Sequence, residues 1–207
     1  MASLWYALFS WDVPTATHQE LATAHAIVTQ AHGRMRNGSA GPGNRIMANV
    51  TRLLHYQFPH LPIMPQEDVA LADPTLPYYT VIGGLRDTRC FMATVAKKHN
   101  TTDGGSATGA SNMQWNTHAI ARAQAEICKQ NGWTRIIVVA FPIHWGRAAA
   151  VYRKLGLTPL MAEMPADLGA YMHPYLIPSG LLGIQTVSKF RKRELLCRIL
   201  FWLKNWI

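Results

Sequence analysis

Two side chains in the stretch FPIHWGRAAAVYRKLG (141–156) have the types and spacing for chemistry: His144 and Arg147, three residues apart. An imidazole exchanges a proton near neutral pH, and a guanidinium is a permanently charged fork that fits carboxylate or phosphate. Both stand where an apolar run ends and small residues open a helix, whose free N–H groups and dipole favour an anion. The chemistry suggested is anion binding beside a proton donor or acceptor, with His144 the candidate catalytic residue. Set against this is a structural role: a histidine bonded to a backbone carbonyl and an arginine on a solvated helix face.

Three further residues are candidates for ligand binding. Asn116 and Thr117 open another predicted helix, where they can cap free N–H groups and also touch a ligand. Gly33 follows the first predicted strand, in a loop (33–43) whose glycines permit close backbone approach. His32 beside it is a weaker candidate for the same pocket. That loop lacks G-x-G-x-x-G and G-x-x-x-x-G-K-[ST], so a standard dinucleotide or nucleoside-triphosphate site is poorly supported. No serine lies in G-x-S-x-G. Of the nine histidines only His55 and His60 have H-x3-5-H spacing, and Cys90, Cys128 and Cys197 form no C-x2-4-C to complete a ligand set, so no metal is expected.

The elements that must position these residues follow from periodicity. Residues 25–30 (HAIVTQ) have a β-branched centre and read as a strand. Asn44 can cap a helix carrying Ile46, Val50, Leu53 and Leu54 on one face, stopped at Phe58-Pro59. Weak strand 61–64, a short helix 67–73 and strand 78–82 come next, then a helix from Asp87 or Thr88 to His99 and a loop at 100–111. A helix over 114–131 precedes the clearest strand, 135–140 (RIIVVA), an apolar run of the kind buried on both faces of a parallel sheet. A helix at 145–155, a strand at 157–161 and a closing helix at about 190–205 complete the order. Strands alternating with helices predict a Rossmann-like three-layer α/β fold with a mainly parallel sheet, whose ligands lie outside the carboxyl ends of the strands. His144 and Arg147 stand at such an end.

A hydrophobic fraction of 49% against 15% charged residues excludes a largely disordered chain. The 207 residues read as one domain, with 1–20 an N-terminal extension and 188–207 a basic amphipathic helix. The start MASLWYALFSWDVP lacks the basic n-region of a secretory signal, and no run reaches the roughly 18 apolar residues of a spanning helix. A soluble, cytoplasmic protein is expected.

The net charge of +9 is mainly a property of the tail: Lys189, Arg191, Lys192, Arg193, Arg198 and Lys204 face one acid, Glu194. Trp202 and Trp206 beside them permit a peripheral membrane contact, whereas no recognised motif supports nucleic acid. A tail helix docked on the domain is expected to bury Ile199, Leu200 and Leu203.

Three segments in order resemble the YdcF-like family. They are AIVTQAHGR with GNRIMANVTRLL, SNMQWNTHAIARAQ, and FPIHWGRAAAVYRKLGL with its H-x-x-R-A pattern; the closing RKRELLCRILFWLKNWI is similar to that family's basic C-terminal helix. The resemblance covers roughly 24–206 and implies a Rossmann-like fold, a pocket of unsettled ligand and roles connected with the bacterial cell envelope. The ligand expected is small and anionic or nucleoside-containing, with S-adenosylmethionine or a nucleotide the first candidates. The family usually places a glutamate two residues after the Asn-Thr pair, where this chain has Ala119. That departure motivates an alternative: a non-catalytic interaction protein with a degenerate pocket.

Overall fold

The computed structural model describes residues 14–83, 117–177 and 185–205. Asn116, the predicted helix up to His99, the loop 100–111 and Trp206 lie outside the described residues.

Strands β1 (Ala26–Gln30), β3 (Ile63–Met64), β4 (Arg135–Ala140) and β5 (Thr158–Met161) form one sheet in the order β3-β1-β4-β5, every pairing parallel. Strands β2 (Arg34–Met35) and β6 (Leu176–Ile177) make a separate antiparallel pair. Helices α1 (His18–Leu21), α2 (Pro42–Gln57), α3 (Glu67–Ala72), α4 (Thr117–Gln130), α5 (Pro142–Lys154) and α6 (Val187–Leu203) flank the sheet in a Rossmann-like three-layer α/β arrangement. The β-branched run of β4 is buried from Ile136 to Ala140 because neighbouring strands cover both edges and helices both faces.

Several local expectations need correction. Helix α2 is capped by Gly41 with Pro42 in its first turn, so the predicted cap Asn44 is freed for another task. Its side chain accepts from the His32 N–H (2.7 Å) and donates to the Gly33 carbonyl (2.6 Å), tying the helix to the turn after β1. The predicted strand 78–82 reduces to isolated parallel bridges, Tyr78 with Ile63 and Ile82 with Gln66. Helix α5 begins at Pro142 rather than 145, since a proline at a first helical position loses no hydrogen bond.

The strand order reverses between β1 and β4. β1 leads through α2 to β3 on one side, and β4 leads through α5 to β5 on the other. Such a reversal opens a crevice at the carboxyl ends of the two central strands. His32 follows β1 there, and His144 follows β4.

Candidate functional site

At this switch point the chain places a buried charged cluster. Arg147, on the first turns of α5, is the centre. Its Nε donates to both oxygens of Glu194 on α6 (3.0 and 3.2 Å), and its Nη2 donates to Glu194 Oε2 (2.9 Å). Nη1 donates to Thr117 Oγ1 at the start of α4 (2.9 Å). Nη2 also lies 2.9 Å from His144 Nδ1. Because a guanidinium only donates, the neutral imidazole accepts at Nδ1 and carries its proton on Nε2, 3.2 Å from Thr117 Oγ1. Arg198, one helical turn beyond Glu194, donates from Nε to Glu194 Oε1 (3.3 Å) and from Nη2 to the carbonyl of Ile143 (3.2 Å). The Phe201 ring covers the Arg147 guanidinium at 4.7 Å, a cation–π contact.

The approach of α6 depends on one missing side chain. A Cβ at Gly146 would meet Arg198 Nη2 at 2.9 Å, so any larger residue there would displace the guanidinium. On the other side, a Cβ at Gly43 would stand 2.7 Å from the His32 ring, which packs against the start of α2. His32 is enclosed by rings, with Phe141 at 4.3 Å and Phe190 of α6 at 4.8 Å between centroids. Phe141 in turn packs on Tyr171 and Phe190. Helix α6 therefore covers the carboxyl ends of both central strands.

Burial sets the electrostatics. It pushes the His144 imidazole down to about 4, and the Arg147 charge adds to the effect against the pull of Glu194. His32 is pushed to about 3 by burial, with the positive surroundings of His144 and Arg193 contributing. Burial alone would raise the Glu194 carboxyl; the Arg147 charge and the hydrogen bonds that Arg147 donates override it and hold the group at about 2. At neutral pH the cluster thus contains a carboxylate, guanidinium cations and two neutral imidazoles.

Of the predicted site residues, Thr117, His144 and Arg147 come together within hydrogen-bonding distance. Gly33 sits apart from that cluster at the end of β1, in a left-handed conformation (φ 63°) with its carbonyl held by Asn44. Asn116 lies outside the described residues. His32 is at the crevice, and its Nε2 is buried with no hydrogen-bond partner among the described residues. The structural role weighed for the pair takes another form: His144 bonds to side chains, and Arg147 is buried.

Sequence reasoning missed Glu194. Its signal was present: the lone acid of a basic helix, in helical register with Phe190, Arg198 and Phe201, the buried residues of α6. Ala119, where the YdcF-like pattern has glutamate, lies on the first turn of α4. A groove of about 580 Å³ between α2 and the segment after β5, lined by Val50, Leu54, Ala162 and Met164 among others, shares no residue with the charged cluster. Among the described residues no group of three His, Cys, Asp or Glu is placed to hold a metal ion, and no helix is long and apolar enough to cross a membrane.

No family model matches the chain, and no curated protein or solved structure is significantly similar to it.

Proposed function

We propose that the chain is a YdcF-like, Rossmann-type protein that binds a small anionic or nucleoside-containing ligand at the carboxyl ends of β1 and β4. The observation carrying this reading is that Arg147, at a helix start beside the switch point, grips a carboxylate, and that carboxylate is the chain's own Glu194. Glu194 stands where the anionic group of a ligand would stand, and α6 is the cover. The unpartnered Nε2 of His32 offers a second polar contact nearby. Both nitrogens of His144 are engaged in this closed form, so His144 acts first as a positioning residue for Arg147 and Thr117. The geometry names no reaction. The resemblance adds a link to the bacterial cell envelope.

Calorimetry on Glu194→Gln tests the reading, with inorganic phosphate, ADP and S-adenosylmethionine as probes. Removing an internal competitor raises the binding-competent fraction, and affinity for at least one probe should rise roughly tenfold. Adding Arg147→Ala should abolish the gain. Native mass spectrometry of the same variant should show a co-purifying anion.

A second reading has its own support. Arg147 spends its Nε, Nη1 and Nη2 on partners within the chain, and Ala119 replaces the usual glutamate. On this reading the cluster is a latch that fixes α6, and the protein is a non-catalytic interaction protein. Glu194→Gln with no gain for any probe and no co-purifying mass would favour the latch.

A further inference from the structure

Helix α6 is built the reverse of an ordinary covering helix. It turns Glu194 and Arg198 inward with Phe190 and Phe201, and it leaves leucines outside. Leu196 and Leu200 are each 45% exposed, and Leu203 is 66% exposed. Spaced four and three apart, the three leucines share one side of the helix. The expectation that docking buries Ile199, Leu200 and Leu203 is therefore corrected: Ile199 is half-buried, the two leucines are exposed, and α6 docks through its charged and aromatic face. The preceding turns carry exposed Lys189 and Lys192 on the same side as the leucines, and the helix's acid, Glu194, is buried and paired.

We infer that the outer face of α6 is a contact surface for an anionic lipid bilayer, engaged while the inner face stays docked on the domain. An apolar stripe continuing from a cluster of cations, with no exposed acid on the helix, fits a surface that is negative outside and apolar beneath. The leucines enter the acyl boundary, and the lysine stems reach back to the headgroups. A second copy of the chain would bring an equally basic helix against this one. A polynucleotide would meet the cations but leave the three leucines unused. Docking and membrane contact, which the sequence presents as alternatives for the tail, use opposite sides of one helix. The surface is independent of the ligand reading, because none of its residues touches Arg147 or His144.

The test is co-sedimentation of the full chain with phosphatidylcholine vesicles, with and without about one-third phosphatidylserine. Binding to the anionic vesicles should exceed binding to the neutral ones by at least tenfold or so and fall at about 0.5 M salt. Lys189→Ala with Lys192→Ala should weaken it roughly 20- to 30-fold, since each basic residue near such a surface contributes about fivefold. Leu200→Asp with Leu203→Asp should remove binding while leaving the melting temperature unchanged, because both positions are exposed. Equal partition into both vesicle types, or full binding by the aspartate variant, overturns the inference. A dimer in light scattering that the aspartate variant loses would assign the face to a second copy and also overturn it. So would retention of single-stranded RNA that depends on these leucines.

Discussion

The chain buries two polar networks, one neutral within the fold's centre and one charged at the strand ends, and they hold different parts together. In the first, the Gln30 amide donates to Tyr152 Oη (2.7 Å) and Gln124 Oε1 (3.3 Å), and the Tyr152 hydroxyl donates to Gln124 Oε1. The Gln124 amide then reaches the carbonyls of Thr29 (3.2 Å) and Met64 (2.8 Å). Five donor contacts join β1, β3, α4 and α5 with no formal charge. In the second, Glu194 of α6 meets Arg147, Arg198 and His144. Uncharged groups can be buried cheaply once their hydrogen bonds are made, whereas buried ions depend on every partner staying in place. The neutral network belongs to the sheet and its helices; the charged one decides whether the crevice is covered.

The sharpest way to break this contrast is to remove the carboxylate. Glu194→Ala leaves buried guanidinium charge without its counter-ion, and urea unfolding should show a loss of about 3–5 kcal/mol. Replacing Glu194 and Arg147 together by leucine and methionine should cost less than the two single changes summed, because neither ion is then left alone.

Acid should separate the networks next. His144 is held at about 4 and His32 at about 3, both below the ordinary 6.5, so the unfolded chain binds more protons as pH falls below 6.5. The stability these neutral rings contribute is present above 6.5 and is lost as pH drops toward 4 and 3. Glu194, held at about 2 against an ordinary 4.5, contributes above 4.5 and loses that contribution toward 2. Unfolding midpoints should therefore fall steadily on acidification, and His144→Gln should flatten the upper part of that fall. A wild-type midpoint constant from neutral pH to about 4 would contradict the assignment.

The smallest effect belongs to the neutral network. Tyr152→Phe removes a hydroxyl that accepts from Gln30 and donates to Gln124, and it should cost about 1–3 kcal/mol. Its pH profile should run parallel to that of the unaltered protein. A changed slope would mean that the two networks are coupled.

Much of the fold can be read from local pattern. The run RIIVVA declares β4 because five of its six residues are apolar and most are β-branched, and the small residues after it declare α5. His144 and Arg147 were legible for the same reason, as polar residues at the end of a buried strand. Glu194 was not, because its role depends on a partner 47 residues away that no spacing rule connects to it. The face that α6 buries was hidden too: an apolar stripe normally marks the inner side, and here ion pairing with Arg147 outweighs it. Asn44 was misjudged as a cap because its side chain has a long-range use on the turn after β1.

The reversal of strand order also governs how the chain can assemble in time. Each half, β1–α2–β3 and β4–α5–β5, pairs strands that lie within a few dozen residues of one another. The seam between them pairs residues 26–30 with 136–140, and closing so long a loop costs entropy before any contact repays it. Two short-range units can thus form early, and their joining is the slow, topologically distant event. Helix α6 bridges that seam, with Phe190 on His32 of one half and Glu194 on Arg147 of the other. Its docking can register only a seam that has already closed, which makes the charged cluster a checkpoint on the completed sheet.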